Sequence, residues 1–322
     1  MKLSEQELRI LGAVELAADK PIQQIARETR MQTSSVQRHL GNLIDRGVID
    51  GRTTIIDLAR LGFIEHGLFI ALDANSNQSE QLIIELNKHK QVSWIAEVGS
   101  KYDLMYNLNA TSSRDVLVFL DRLTNKFPGL IKHKELVIRT ERLRYWRSYL
   151  SGTTMKKPQF AMGNNSEIIQ IDKRDQLILQ ALSCTKFESY RELANKTNLP
   201  ISSFLRRLQV LRDSGLILGF GYRLNLDLIG VHQYRILISV AETSTAFKAL
   251  KNYCEESGKV KLLTRCLGRF DFDLEVDIPV SDDIRIITKD LKNTLHKFKQ
   301  EIQVIPIFKH QKYITFTPAL LN

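Results

Sequence analysis

Cysteines, long apolar runs and a secretion signal are scarce or missing in this chain, and each absence excludes a class of protein. The 322 residues hold only three cysteines, Cys184, Cys254 and Cys266, which form no CxxC and leave one over after any pairing. This favours a reducing cytoplasm over a disulfide-stabilised secreted domain. The longest apolar runs, such as 116–120, fall far short of the ~20 residues that span a bilayer. The first residues, MKLSEQELRIL, are acidic and polar where a signal peptide has its apolar stretch, so we expect a cytoplasmic protein with no membrane segment.

Motifs of enzyme chemistry are missing as well. The sequence has no phosphate-binding glycine loop and no G-x-S-x-G. None of the histidines stands at metal-ligand spacing from a second histidine or a cysteine. We therefore expect no catalytic site, no metal and no cofactor.

What the chain does contain is a repeat with a period of 168 residues. The stretch LRILGAVELAADKPIQQIARETRMQTSSVQRHLGNLIDRGVIDG near residue 10 recurs as LILQALSCTKFESYRELANKTNLPISSFLRRLQVLRDSGLILG. The register holds without a gap to Gly62, which matches Gly230. Two copies of one unit therefore make this protein.

The first ~50 residues of each copy have helical periodicity and predict three helices. We expect Thr33 or Ser34 to cap the third helix of copy one and Ser202 to cap that of copy two. Gly47 and Gly215 are predicted to end these helices as left-handed caps, with a β-wing after each. Two helices joined by a three-residue turn, the second with an exposed basic and amide-bearing face, predict a helix-turn-helix. A plain three-helix bundle is the alternative.

The remainder of each copy predicts the order β-α-β-β-α-β. Alternation is sharpest in FDFDLEVDI at 270–278, which indicates a half-buried strand of an antiparallel α+β sandwich. Between the copies, 148–168 loses apolar periodicity and predicts a flexible linker. The expected strands are 67–73, 92–98, 102–109 and 131–145 in copy one and 234–241, 260–266, 270–278 and 302–316 in copy two, with helices near 79–89, 113–126, 245–256 and 282–298.

These features together resemble the leucine-responsive regulatory protein/AsnC family, the feast/famine transcription regulators. The resemblance rests on the winged helix-turn-helix, on a connecting strand that ends in Leu61-Gly62 or Ile229-Gly230, and on a glycine-x-x-aspartate hairpin in the sensor. It covers nearly the whole chain twice, and it implies an α+β fold with two copies of a winged helix-turn-helix followed by a ferredoxin-like sensor (RAM) domain. The expected domains are 1–53, 54–147, 169–221 and 222–322, with the linker at 148–168.

The resemblance implies a sequence-specific DNA-binding transcription regulator, and the formal net charge of +10 makes double-stranded DNA a fitting partner. In the family the ordinary chain is one copy and the sensor sheets pair, so a tandem chain looks like a covalent pseudo-dimer with self-association through its sensor domains. Its two third helices differ, which predicts two unlike half-sites. The expected DNA contacts are Gln32, Thr33, Ser35, Gln37, Arg38, His39, Asn42 and Arg52 in copy one and Ser203, Arg206, Arg207, Gln209 and Arg212 in copy two.

An effector site follows from the same resemblance. We expect an amino acid or another small metabolite to bind where the two sensor hairpins approach the sheet interface. Because glycine also serves in tight turns, a structural role of these hairpins is the alternative. The residues concerned are Gly99, Tyr102 and Asp103 in copy one, whose hairpin is one residue longer, and Gly268, Arg269 and Asp271 in copy two.

The acidic strand of copy two needs compensating charge. Its alternate residues put four carboxylates about 7 Å apart on one face, where they repel one another. A bound cation is one explanation, but we favour basic partners, and we expect the two sensor sheets to pair with each other, within one chain or between exchanged chains. The carboxylates are Asp271, Asp273, Glu275 and Asp277, and the candidate partners are Lys261 and Arg265 on neighbouring strands and Arg139, Arg142 and Arg144 on the other copy.

Siroheme decarboxylases are the alternative, because they look like this family and consist of paired units of this kind. Those enzymes carry histidine and arginine around the central sensor hairpin to hold a tetrapyrrole. The corresponding stretches here, WIAEVGSKYDLMYNL and LLTRCLGRFDFDLEV, contain no histidine. We therefore favour the regulator.

Overall fold

The computed structural model describes residues 2–73, 76–151, 157–163, 167–183, 189–316 and 320. Within these ranges the α+β fold is confirmed, with a helical unit followed by a sensor unit in each copy. The helices are α1 (Glu5–Val14), α2 (Ile22–Thr29), α3 (Thr33–Asp45), α4 (Ser76–Lys88), α5 (Ser113–Lys126), α6 (Ser148–Ser151), α7 (Lys173–Leu182), α8 (Tyr190–Lys196), α9 (Ile201–Asp213), α10 (Thr243–Ser257) and α11 (Ile284–Thr294). The strands are β1 (Ile49–Ile56), β2 (Ile64–Leu72), β3 (Val92–Val98), β4 (Leu104–Ala110), β5 (Ile131–Arg144), β6 (Phe160–Met162), β7 (Ile217–Leu224), β8 (Val231–Val240), β9 (Val260–Gly268), β10 (Phe272–Pro279) and β11 (Gln300–Tyr313).

The third helices α3 and α9 begin earlier than the expected caps. Gln32 and Pro200 are the N-cap residues, and neither cap makes a side-chain hydrogen bond. Thr33, Ser34 and Ser202 therefore lie inside the first turn, and the prediction that they cap these helices is wrong. The reason is that Gln32 and Pro200 already have the extended backbone that closes the preceding turn.

The C-terminal caps are confirmed. Gly47 has φ +70° and Gly215 has φ +73°, the left-handed conformation that glycine adopts at no steric cost. No helix in the described ranges is long and apolar enough to cross a bilayer. Cys254 and Cys266 are buried free thiols, and Cys184 lies outside the described residues.

The expected β-wings are absent as local hairpins among the described residues. Instead, β1 of copy one pairs antiparallel with β7 of copy two, with Arg52 opposite Tyr222 and Thr54 opposite Phe220. This pairing is possible because the two helical units share one apolar core, to which α1, α3, α7 and α9 all contribute. The strand after each helix-turn-helix therefore joins the copies rather than folding back on its own unit.

The sensor strands form one closed sheet within the chain. Following the hydrogen bonds, eight strands run in the order β2-β4-β3-β11-β8-β10-β9-β5, and β5 pairs again with β2. The pairs β3–β11 and β5–β9 cross from one copy to the other. The two sensor sheets thus pair with each other, as expected, and they do so inside one chain. A closed sheet leaves none of these eight strands unpaired along a whole edge.

Each copy covers its outer sheet face with two helices. The pair α4 and α5 packs on copy one and the pair α10 and α11 packs on copy two, each over its own apolar core. One end of the barrel interior is filled from both copies by Phe69, Tyr102, Leu237, Phe270 and Ile305. The apolar alternation seen in the sequence therefore separates the helix-covered face from the interior.

The segment 148–168 is not wholly a flexible linker. Where the structure describes it, the segment contains the helical turn α6 and the strand β6, which pairs with the end of β5. The Gly163 amide also donates to the Asp57 carboxylate at 3.0 Å. Loss of periodicity misled the prediction because three residues are too few to show a strand pattern.

The acidic strand β10 faces the barrel interior, where basic side chains answer its charge. Arg139 Nη2 of copy one lies 2.8 Å from Asp273 Oδ2, and Arg235 Nη1 lies 3.2 Å from Asp273 Oδ1. Lys261 Nζ lies 3.0 Å from Glu275 Oε2. Burial alone would raise the pKa of Glu275, but Arg235 and Lys261 outweigh it and hold the pKa well below its usual value. Basic partners, including one from the other copy, are therefore confirmed.

Three details of that expectation differ. The Asp271 carboxylate is not part of the interior row of carboxylates; it accepts the Val240 amide at 2.8 Å. Arg265 lies on the other face of its strand, 3.5 Å from Glu141. Arg142 Nη1 pairs with Glu65 Oε2 at 2.8 Å, and no carboxylate in the described ranges pairs with Arg144. The sequence could not foresee these because the twist and bulges of β5 and β9 change which residues face inward along each strand.

We expect Asp273→Asn to lower the free energy of unfolding by about 1–3 kcal/mol, because Arg139 keeps Glu65 and Arg235 keeps Glu275 as a partner. The side chain of Asp273 is fully buried, and its loss of charge leaves Arg139 and Arg235 without their shared partner. Urea unfolding measures the change. The matched control is Asp121→Asn, an exposed aspartate on α5. A loss in Asp273→Asn no larger than that of the control would contradict the assignment.

Candidate DNA interface and interior cavity

The outward face of α3 is polar and accessible. Gln37, Arg38 and Asn42 are exposed, and none of the hydrogen bonds or ion pairs among the described residues uses their side chains. Amide groups match adenine edges and a guanidinium matches guanine edges or phosphate, so this face has the groups that read DNA. Three other expected contacts stand at the start of α3: Gln32 and Thr33 are exposed, and Ser35 is half-buried. His39, in the middle of the helix, is half-buried, and both its ring nitrogens are enclosed without a partner.

The face of α9 differs because most of its expected contacts are held inside the chain. Arg207 Nη1 lies 2.7 Å from Asp175 and 2.9 Å from Asp172, and these bonds raise the pKa of Arg207. Arg212 Nη2 lies 2.5 Å from Asp19 of copy one. Gln209 donates to Asp213 at 2.7 Å, Ser203 is half-buried and Arg206 is exposed. Of the three arginines, Arg206 alone has no carboxylate partner among the described residues.

The difference between α3 and α9 has a local cause. In copy one the start of α1 carries Glu7, and Arg46 at the end of α3 pairs with it. In copy two the start of α7 carries Asp172 and Asp175, which bind Arg207 in the middle of α9. The position matching Arg207 in copy one is His39. Each third helix therefore anchors to its first helix, but from a different turn.

Arg52 lies on the joined strands instead of a wing tip. Its guanidinium is 5.7 Å from the centroid of the Tyr222 ring across the β1–β7 pair. A phosphate contact from Arg52 would thus come from the sheet that joins the two helical units.

The sensor hairpins use most of the expected effector residues for their own structure. Asp103 accepts the Leu72 amide at 2.7 Å in copy one, as Asp271 accepts the Val240 amide in copy two. Tyr102 is buried and donates to Glu135. The remaining three residues are also constrained by the structure. A Cβ on Gly99 would come within 2.8 Å of Pro306 and Phe308, and Gly268 has φ +132°. Arg269 pairs with Glu301 at 2.8 Å.

A cavity of about 870 Å³ lies between the barrel and the β1–β7 pair. Its lining comes from both copies and includes Thr53 of β1, Tyr222 of β7, Asn109 of β4 and Arg144 of β5. No linear motif could reveal such a site, because strands distant in sequence assemble it. The same cavity is lined by the basic residues Arg139, Arg142, Arg147, Arg223, Arg235, Lys261, Lys309 and Lys312 and by the acidic residues Asp50, Asp57, Glu65, Asp227, Glu275 and Asp277.

His310 and Trp94 form part of this lining. Trp94 Nε1 donates to His310 Nδ1 at 3.0 Å, and His310 Nε2 donates to Gln233 Oε1 at 2.5 Å. The ring faces the cavity, where water can reach it, yet protein surrounds it on its other sides. This desolvation, with the positive charge of Lys261, lowers the pKa of His310 to about 4, so the ring is neutral at pH 7.

Comparison with known proteins agrees with the geometry of the helical units. A family model described as winged helix-turn-helix DNA-binding matches residues 3–50 and again residues 171–217. The HTH-type transcriptional regulator FL11 of Pyrococcus horikoshii is 24% identical over 141 residues, which are 44% of this chain and 92% of the relative. The proline dehydrogenase transcriptional activator of Rhizobium radiobacter is 32% identical over 118 residues, 36% of this chain and 75% of the relative. The chain belongs to the leucine-responsive regulatory protein/AsnC family. It is a DNA-binding transcription regulator.

The full length of this regulator matches a solved enzyme structure in fold. The siroheme decarboxylase NirDL, in complex with an iron-uroporphyrin III analogue, superposes with a TM-score of 0.60 at 12% identity. The match covers 97% of this chain and 94% of that chain. The likeness at this identity is one of fold.

Proposed function

We propose that this regulator binds DNA as a single-chain pseudo-dimer whose two third helices read unlike half-sites. The observation that carries the proposal is the joining of both helix-turn-helix units by one core and by the β1–β7 pair, while their outward faces differ. Copy one offers the exposed amides and guanidinium of Gln37, Arg38 and Asn42. Copy two offers Arg206, with Arg207 and Arg212 held by aspartates. A joined pair with unlike faces favours an asymmetric operator over a palindrome.

The other expected contacts fall into two classes. Gln32, Thr33 and Ser35 stand at the start of α3, where short polar groups suit phosphate and sugar oxygens. Arg207 and Arg212 would have to leave their aspartates before they touched DNA, so we assign them first to the stability of copy two. DNA binding also places the protein in the compartment of the chromosome, which supports a cytoplasmic location.

Effector control and assembly of several chains are part of the proposal. An amino acid at the hairpins would compete with the contacts that Asp103 and Asp271 already make. Assembly would use surfaces other than the closed eight-stranded sheet, since the strand edges that could pair are paired within the chain.

We expect Arg38→Ala to weaken binding to a selected duplex by about 1–3 kcal/mol, the usual cost of one lost specific base contact. Fluorescence anisotropy on duplexes enriched from a random library by the full-length protein measures the effect. If ~6 phosphates are neutralised, affinity for the same duplex should fall about 10³-fold between 50 and 200 mM salt. The matched control is Arg122→Ala on α5, which removes the same charge from an exposed site in the sensor. Equal effects of the two variants on duplex binding would show that α3 does not contact the DNA.

A tetrapyrrole enzyme is the second candidate, favoured by the full-length likeness to NirDL. Against it, the hairpins 99–103 and 268–271 carry no histidine. We therefore expect no release of carbon dioxide from siroheme when the purified protein is added under reducing conditions. A spectral shift together with carbon dioxide release would show that the protein acts as a siroheme decarboxylase.

A further inference from the structure

The cavity is large enough to hold a molecule well beyond the size of an amino acid. Binding pockets for small molecules are commonly ~300–1,000 Å³, and this cavity of about 870 Å³ lies near the top of that range. Its walls include the interior face of the barrel and the strands β1 and β7 that join the helix-turn-helix units. A molecule inside would thus touch both functional halves of the protein.

Three carboxylates of the lining are already neutralised by basic side chains. Glu65 pairs with Arg142 at 2.8 Å, Glu275 pairs with Arg235 at 2.8 Å, and Asp277 pairs with Arg147 at 2.5 Å. Such pairs present little net charge to a molecule in the cavity. The electrostatic character of the site is therefore decided by the groups left over.

Asp57 accepts the Gly163 amide and Asp227 is exposed, but basic side chains still outnumber carboxylates in the lining by nine to six. Arg144 and Lys309 line the cavity, and no carboxylate in the described part of the chain pairs with either side chain. The buried Nε of Arg144 has no hydrogen-bond partner. Among the described residues, the partners of the Lys312 ammonium are backbone carbonyls, those of Asn87 at 2.7 Å and His89 at 2.8 Å. An arginine fork and two lysines without carboxylates favour an anionic guest.

A buried polar group points to a ligand independently of the charges. The side chain of Asn109 lines the cavity, the residue is only 1% exposed, and neither its amide nitrogen nor its amide oxygen has a partner. Leaving a buried amide unsatisfied costs about 1–3 kcal/mol, so native structures rarely do so without a reason. A guest with a donor and an acceptor would satisfy both atoms.

The lining also offers apolar surface on β11. Phe308 is 67% exposed although it is a large aromatic residue, and Tyr313 is 38% exposed. Both belong to the cavity lining. Pockets combine such surface with a few polar anchors, and a flat unsaturated ring system suits it.

We propose that this cavity binds an organic anion with a flat ring system and a carboxylate or phosphate group, held by Arg144 and Lys309 and hydrogen-bonded by Asn109. The site is separate from the hairpins where an amino acid was expected. Because Thr53 and Tyr222 of the joining strands also line it, the guest acts as the link through which the sensor barrel sets the position of the DNA-binding units. This coupling rests on the proposed function, whereas binding of the anion does not.

The test uses the full-length protein without DNA and a matched pair of fluorescent probes. One is 8-anilinonaphthalene-1-sulfonate, an aromatic anion, and the other is N-phenyl-1-naphthylamine, the same ring system without the charge. We expect about one sulfonate probe to bind per chain. Arg144→Gln should weaken it at least about tenfold, since a hydrogen bond to a charged group contributes about 1.5–3 kcal/mol. The neutral probe should bind more weakly and should not respond to Arg144→Gln.

Two further variants keep the test decisive. Lys309 is exposed, so the Lys309→Gln variant should fold even if Arg144→Gln does not. It should also weaken binding of the sulfonate probe. Arg122→Gln on α5 is the control and should leave binding unchanged. Equal binding of the sulfonate probe to the unmodified protein, Arg144→Gln and Lys309→Gln would overturn the proposal.

Competition against the bound sulfonate probe identifies the anionic group. Displacement by NADP indicates phosphate and displacement by folic acid indicates carboxylate, while riboflavin, a flat molecule without an anionic group, should not compete. If riboflavin competes as well as both anions, the charge requirement is wrong. Probe binding in a protein that fails to bind any DNA would disprove the proposed function and leave the anion site standing.

Discussion

The ion pair between Arg139 and Asp273 is the interaction on which the rest of the structure depends. One partner comes from β5 of copy one and the other from β10 of copy two, and both side chains are almost fully buried. A buried pair contributes little net stability by itself, but removing either member leaves a charge that the interior cannot solvate. The pair therefore restricts how the barrel assembles, because both charges are paired only when copy one faces copy two.

Buried polar contacts also connect the barrel to the DNA-binding half. Arg147 pairs with Asp277 in the barrel and also with Glu15, which follows α1. Arg60 of copy one donates to the Ser214 carbonyl at the end of α9. Through these contacts and the shared core, the sensor barrel and the two helix-turn-helix units form a continuous structure. Each copy is then free to differ on its outward face, because the partner is always the other copy of the same chain.

Much of the fold followed from local pattern. The sensor strands lie within a few residues of the expected bounds, as with β3 at Val92–Val98, because alternation directly reflects one face packed under helices. Helix ends were less predictable: at Pro200 the backbone of the preceding turn decided the start of α9, and Ser202 never became a cap. The fusion of β1 with β7 could not be predicted, since strand partners separated by 168 residues leave no local signal.

The candidate site divides in the same way. The outward position of Arg38 and Asn42 was predicted from helical spacing, and both side chains are exposed. The aspartates that hold Arg207 were visible in the sequence, but their contact depends on the packing of α7 against α9. The cavity beside Asn109 was invisible, because polar side chains on an interior face resemble those on a solvated strand until the barrel is closed.

Both copies form one folding unit inside one chain. Hydrogen exchange measured along a urea titration tests this, with amides of β3 reporting on copy one and amides of β8 on copy two. Because β11 bonds to both strands, we expect them to lose protection at the same urea concentration, whatever the protein concentration. Loss of protection in one copy while the other keeps its sheet would contradict it.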